Sequence, residues 1–178
     1  GNGDVGYTVG EEIVIKTNNN AIWNGDNCIN TSPQITYAIL DQLVNVAGVD
    51  EADISIGDPN CNMPDYTYDP CHDEFPGVNY YNRNATPQKI DGRLILSDGS
   101  VSDPLPASYI DASYMINIPV LKKHHRAGIS VTSKNHFGSI APFTSGAWHL
   151  HYSLPSPEAS GVAENGSYGV YRCFVDIM

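Results

Sequence analysis

The segment Thr31-Ser32-Pro33-Gln34 constrains the fold more than any other stretch of this chain. Serine at an N-cap followed by proline at the first helical position reads as a helix start, because proline's missing N–H and fixed φ cost nothing there. Behind it Ile35, Ile39, Leu40, Leu43 and Val44 recur at helical spacing, and Ala47-Gly48 closes the run. The spacing predicts a helix from residue 33 to about residue 46, with an Ile35/Ile39/Leu43 stripe packed on a sheet. Short β candidates flank it at residues 11–17 and 53–58. Strand, helix, strand in that order is a βαβ unit, which demands parallel strands and a right-handed crossover.

The remaining chain extends the same architecture. Residues 114–120 are nearly all apolar apart from Asn117, as expected of a parallel strand buried on both faces. Residues 93–97, followed by Asp98-Gly99-Ser100, read as a strand and tight turn. Residues 59–90 carry no clear period and are expected to be a long inserted loop. The expected fold is α/β, a mainly parallel sheet with flanking helices in three layers, formed by residues 1–178 as a single domain. The last residues, 170–178, read as an element starting, so the domain is expected to be incomplete. A missing C-terminal part or a partner strand would complete it.

Composition narrows the function classes. The 178 residues suffice for one domain with a real core. A net charge of −11 argues against nucleic acid as a partner, since nucleic-acid binders draw much of their affinity from neutralising phosphates. No apolar run approaches the roughly 18 residues needed to cross a bilayer, so no transmembrane segment is expected. Four cysteines are present with no CxxC pair. Cys61 and Cys71 bracket a polar, proline-containing stretch, and a disulfide between them is expected. Free buried thiols, or pairing with Cys28, are the alternatives. Asn-rich loops and the expected disulfide favour a secreted or periplasmic location over a cytoplasmic one.

Against the acidic background, Lys122, Lys123, Arg126 and Lys134 place four of the nine basic residues within one short segment. His124, His125 and His136 lie in the same stretch. A cleft can focus positive potential even in an acidic protein, and ligands of open α/β sheets bind beyond the carboxyl ends of the strands. The segment follows the 114–120 strand directly, so a small anionic ligand, a carboxylate or phosphate, is expected there. His149 and His151 would need a third ligand from Asp111, His125 or His136 to hold a metal, and no metal or cofactor is assigned. Tyr66, Tyr68, Tyr80 and Tyr81 could furnish a planar-ligand or sugar platform or be half-buried packing.

Two stretches carry a family resemblance. They are Ile116-Asn117-Ile118-Pro119-Val120-Leu121-Lys122-Lys123-His124 and Gly128-Ile129-Ser130-Val131-Thr132-Ser133-Lys134-Asn135-His136-Phe137-Gly138. Here the chain resembles the uncharacterised bacterial and archaeal family called domain of unknown function 362. The resemblance extends to Lys16 and Asn18, Ser32-Pro33, Gly57-Asp58 and Asp111-Ala112, with His149 or His151 as the family's late histidine. It implies an α/β fold that normally continues past residues 174–176, and it supplies no settled reaction. Closely spaced cysteines are missing, so iron–sulfur chemistry is not implied.

Together these readings give Lys16, Asn18, Asn117, Lys122, Lys134 and Asn135 as candidate ligand-binding residues. His124, His136 and Asp111 are candidates for proton transfer. Two functions are expected: an enzyme of unknown reaction acting on the anion, or a non-catalytic exported binding protein using the same cleft and the tyrosine-rich loop.

Overall fold

The computed structural model describes residues 6–19, 29–81, 90–95, 102–124 and 128–139. Its centre is a four-stranded parallel sheet of β1 (Ile13–Lys16), β2 (Ile54–Gly57), β3 (Asn79–Tyr80) and β6 (Tyr114–Asn117), in the order β3-β2-β1-β6. Ile13 pairs with Ile54 on one side and Tyr114 on the other, and Lys16 with Gly57 and Asn117. Two antiparallel ribbons complete the strands: β4 (Ile90–Ile95) with β5 (Ser102–Pro106), and β7 (Lys122–His124) with β8 (Gly128–Ser130). The helices are α1 (Pro33–Asp41), α2 (Asp65–Glu74), α3 (Ala107–Asp111) and the single turn α4 (Thr132–Asn135). The mainly parallel sheet with flanking helices makes this an α/β fold.

The first βαβ unit forms as its sequence dictates. Pro33 opens α1, which continues into a π-helical turn over Gln42–Val46. Gly48, at φ +72°, then supplies the left-handed residue that turns the chain back towards β2. Two details differ from expectation. Ser32 occupies the N-cap but its hydroxyl donates to Gln34 Oε1 at 2.6 Å rather than capping the helix. The buried face is also rotated: Thr36 and Leu40 are fully buried while Ile35 is 51% exposed. Ile39, Leu43 and Val44 pack at its margin.

Strand alternation sends Ile13, Ile15, Ile54 and Ile56 into one core with Leu40, Met63, Phe75 and Val78. Helices α1 and α2 pack together over that face. The intervening residues, Val14 and Ser55, belong to the opposite face. There Tyr81 stacks on Tyr109 with ring centroids 6.0 Å apart and pairs its hydroxyl with Ser108 of α3. Gly57 lies directly beneath: a Cβ there would come within 2.9 Å of Tyr81 Cβ, so only glycine admits that ring.

The structure revises three expectations and decides a fourth between its alternatives. The 59–90 stretch is not one long loop, since α2 and β3 lie within it. Pro70 sits inside α2 and few of its residues are apolar, which hides the helical period. The expected Cys61–Cys71 disulfide is absent, and both are buried free thiols, with Cys71 packed in the core from α2. Tyr80 and Tyr81 are buried, and Tyr68 packs edge-on to Tyr80 at 5.2 Å, so these three take the packing alternative, while Tyr66 is 38% exposed. Strand β6 is an edge strand among the described residues, with Tyr114 and Met115 exposed, rather than a strand buried on both faces. The turn at 98–100 and residues 170–178 lie outside the described residues.

Candidate functional site

Strand order places the site. The chain steps outward from β1 to β2 to β3, then returns to lay β6 on the other flank of β1. The carboxyl ends of β1 and β6 therefore form the point where the strand order reverses, the place where open parallel sheets bind ligands. Lys16 and Asn117 are the last paired residues of those two strands. Asp58 directly follows the carboxyl end of β2.

Lys16 is wholly buried, and its ammonium donates to Asp58 Oδ2 at 2.9 Å, to Asn135 Oδ1 at 3.3 Å and to the carbonyl of Thr17. A buried ammonium needs such company, because an unpaired one would forfeit its hydration without return. Asp58 is itself anchored by the backbone N–H groups of Asn19 (3.2 Å) and Asn60 (3.0 Å). Gly138 closes over this pair, where a Cβ would stand 3.1 Å from Lys16 Nζ.

A belt of asparagines surrounds the ion pair. Asn135 Oδ1 accepts from Asn18 Nδ2 at 2.8 Å as well as from Lys16. Its Nδ2 donates to Asn117 Oδ1 at 2.7 Å and to the carbonyl of Lys16 at 3.3 Å. Every face of that amide is used, which an aspartate of the same shape could not do. Asn117 Nδ2 donates to the carbonyl of Thr132 (3.0 Å) and to His136 Nε2 (2.8 Å). The Thr132 carbonyl fixes which end of the amide carries hydrogens, so His136 Nε2 accepts and Nδ1–H donates to Ser139 Oγ at 3.2 Å. Burial, then the Lys16 charge, lower the His136 pKa, which agrees with a neutral ring.

Two further lysines rise from this floor. Lys122 of β7 donates to Asn18 Oδ1 and to the carbonyl of Ile29 at 2.8 Å. Burial depresses its pKa, opposed by Asp58 and reinforced by Lys16. Lys134 of α4 is depressed to about 8 by burial, then by Lys122 and Lys16, with Asp58 opposing. Three ammonium groups thus share the neighbourhood of Asp58.

Six sequence-derived binding candidates, Lys16, Asn18, Asn117, Lys122, Lys134 and Asn135, therefore meet at one end of the sheet, with His136 beside them. Asp111 does not join them. It faces Glu12, whose carboxyl it helps to raise after burial, and Glu12 precedes β1. The backbone agrees, with Ser113 N donating to Glu12 O at 2.8 Å. At about 3.3 Å per residue, Glu12 and Lys16 are roughly 13 Å apart along β1, so Asp111 belongs to the opposite end of the sheet. His124 ends β7 opposite Gly128. His125, His149, His151 and Arg126 lie outside the described residues. Among those described, no cluster of three His, Cys, Asp or Glu could hold a metal.

Gly57-Asp58 enters the sequence reading as part of the resemblance, but no site role is given there to Asp58, Thr31 or Asn60. Thr31 Oγ1 accepts from Asn18 N (2.7 Å) and donates to Ile118 O (3.2 Å), while Asn60 Nδ2 donates to Gly138 O (2.8 Å). The resemblance marks Asp58 as a strand-end residue, and its role becomes readable only once Lys16 stands across from it at 2.9 Å.

The fold and its polar centre define a parallel α/β domain with a lysine–asparagine cluster at the strand-order reversal. Residues 13–159 match the family model described as "Domain of unknown function (DUF362)", and the chain belongs to that family. No curated protein and no solved structure matches it.

Proposed function

We propose that this domain binds a small anion, a carboxylate or phosphate, at the carboxyl ends of β1 and β6. One observation carries the reading: at the strand-order reversal Lys16 pairs with Asp58 at 2.9 Å, Lys122 reaches the same asparagine belt through Asn18, and the charges of Lys122 and Lys134 are coupled to that pair. Lys16 and the asparagines are committed to one another and form the floor. Lys122 and Lys134 are half-buried and form the wall that an anion would meet. Burial already taxes both ammonium groups, and an arriving anion would relieve that cost. No helix among the described residues is long and apolar enough to cross a membrane.

In this reading His136 is a positioning residue that holds Asn117, and Asp111 has no part in the site. An exported location now rests on the Asn-rich loops without the disulfide. Titration calorimetry with inorganic phosphate and with acetate tests the proposal. Lys122→Met and Lys134→Met should each weaken binding about tenfold or more, by loss of a charge-assisted hydrogen bond, and less at high salt. Absence of binding by the folded parent protein rejects it.

A further inference from the structure

Resting on that anion reading, we propose that His136 is a proton-operated latch on the same site. Neutral, its ring fastens the 132–139 segment, which carries Lys134, to Asn117 at the end of β6; protonated, it unfastens that segment and loosens the hold on the anion. The Asn117 amide makes three ties to this one segment. Its Nδ2 donates to the Thr132 carbonyl at 3.0 Å and to His136 Nε2 at 2.8 Å, and its Oδ1 accepts from Asn135 Nδ2 at 2.7 Å. On the far side of the ring, Nδ1–H donates to Ser139 Oγ at 3.2 Å. Only the neutral imidazole offers a lone pair on Nε2, whereas imidazolium would oppose one N–H to another.

The amides around the ring cannot turn to accommodate that second N–H. Rotating the Asn117 amide would set its Oδ1 against the Thr132 carbonyl and its Nδ2 against Asn135 Nδ2. Rotating Asn135 in turn would bring its Nδ2 against the Asn18 amide and the Lys16 ammonium, which now lie 2.8 and 3.3 Å from Oδ1. It would also turn Oδ1 towards the Lys16 carbonyl. Each correction moves the conflict one step nearer the buried Lys16–Asp58 pair, where an unmet polar group costs most. A proton on Nε2 is therefore answered at the outermost bond, by parting His136 from Asn117. Because the same amide also holds Thr132 and Asn135, its displacement disturbs all three ties at once.

The charges around the ring point the same way. Lys16 of β1 acts on it as a cation, β6 presents the neutral Asn117, and the neutral Ser139 follows it in the chain. Beside Ser139 stands Tyr109 of α3, whose phenol burial holds in its protonated form, and Lys134 lies two residues before the ring as a further cation. Burial, then Lys16, hold the folded ring below the ordinary pKa of 6.5, so it takes a proton less readily than the unfolded chain does. The latch is therefore complete above pH 6.5 and gives way as the pH falls through the folded value. Asn60 Nδ2 still holds the Gly138 carbonyl at 2.8 Å, and Lys122 stays tethered through Asn18 and Ile29, so acid opens the site without dismantling it.

The test is a pH titration of the full chain by NMR, reading the His136 ring nitrogens and the Asn117 side-chain amide. At pH 7.5 the ring should carry its proton on Nδ1, and between pH 7.5 and pH 5 its protonation and a shift of the Asn117 amide should run together. Over the same range acetate affinity, read by titration calorimetry, should fall about threefold or more beyond the fall in His136→Gln. Glutamine keeps an acceptor for Asn117 and never takes the charge, and acetate's own protonation is common to both proteins. An Nε2–H ring at pH 7.5, a ring that stays neutral to pH 5, or protonation that leaves the Asn117 amide unmoved overturns the latch. The NMR titration of the parent gives that answer even where the variant fails to fold. Tighter acetate binding by the parent at pH 5, as an added charge alone would cause, overturns it too. No acetate binding at pH 7.5 overturns the anion reading beneath it, while the NMR titration still decides whether His136 parts from Asn117.

Discussion

Lys16 and Asn117 end adjacent parallel strands in direct register, and a third residue, Asn135, hydrogen-bonds to both. The carboxyl end of the sheet is therefore built around an amide that arrives from a late, separate element. Its removal gives the sharpest prediction. Asn135→Leu should cost about 2–5 kcal/mol, because it takes the acceptor from Asn18 Nδ2, the donor from Asn117 Oδ1 and one of three acceptors from the buried Lys16 ammonium at once. Chemical denaturation measures it, and an unchanged midpoint would contradict the network.

The Lys16–Asp58 pair should show the asymmetry of buried ion pairs. Lys16→Met removes the ammonium that donates to buried Asp58 at 2.9 Å and is expected to cost about 3–5 kcal/mol. Combining it with Asp58→Asn should recover part of that loss, since the buried charge that lost its closest cation disappears. A double variant no more stable than the single one would show that the carboxylate is not the source of the cost.

Helix α1 offers a comparison of two neighbouring aliphatic positions. Leu40→Ala, at a fully buried site, should lower stability by about 2–5 kcal/mol, while Ile35→Ala should stay within about 0.5 kcal/mol. Equal effects at the two sites would mean that the helix is rotated from the orientation described.

Lys134 should link stability to alkaline pH. Its folded pKa, about 8, lies below the ordinary 10.5, so between those values the unfolded chain binds more protons than the folded one. Stability then rises with pH across that window, and the full penalty is present below it. Relative to Lys134→Met, the parent should gain of the order of 1–3 kcal/mol between pH 8 and 10.5, the lower end reflecting solvent screening. Paired melts across that range check the sign, and a parent that loses ground to the variant would refute it.

Burial pushes the Cys61 thiol up to about 12 and the Cys71 thiol up to about 11. Neither should react with iodoacetamide at pH 8 in the folded protein, because the thiolate is the nucleophile. Both should react after denaturation without reductant. A peptide linking residues 61 and 71 in non-reduced digests would restore the disulfide.

The first βαβ unit was legible because its signals are local: a Ser-Pro start, helical spacing and a glycine stop lie within one stretch. The helical face was off by one position, since Ile35 and Leu40 are equally apolar and only packing against α2 chooses between them. Helix α2 was hidden by Pro70 and its polar composition. The site was half legible. Its lysines and asparagines stood out as a resemblance and a local charge excess, and strand topology brought them together. The site roles of Asp58 and Thr31 come only from partners far along the chain, and Asp111 lies at the other end of the sheet because closeness to β6 in sequence says nothing about which end of the strand a residue occupies.

The hydrogen bonds that define the site span long stretches of chain: 119 residues between Lys16 and Asn135, 104 between Asn18 and Lys122, and 78 between Asn60 and Gly138. Such contacts form late, after the entropy of closing large loops has been overcome. A nascent chain that has emerged only as far as β6 would hold Lys16, Asp58 and Asn117 but lack Lys134 and Asn135. Assembly of the proposed anion site and completion of the fold should therefore appear together, so that a half-folded molecule exposes no partial version of it.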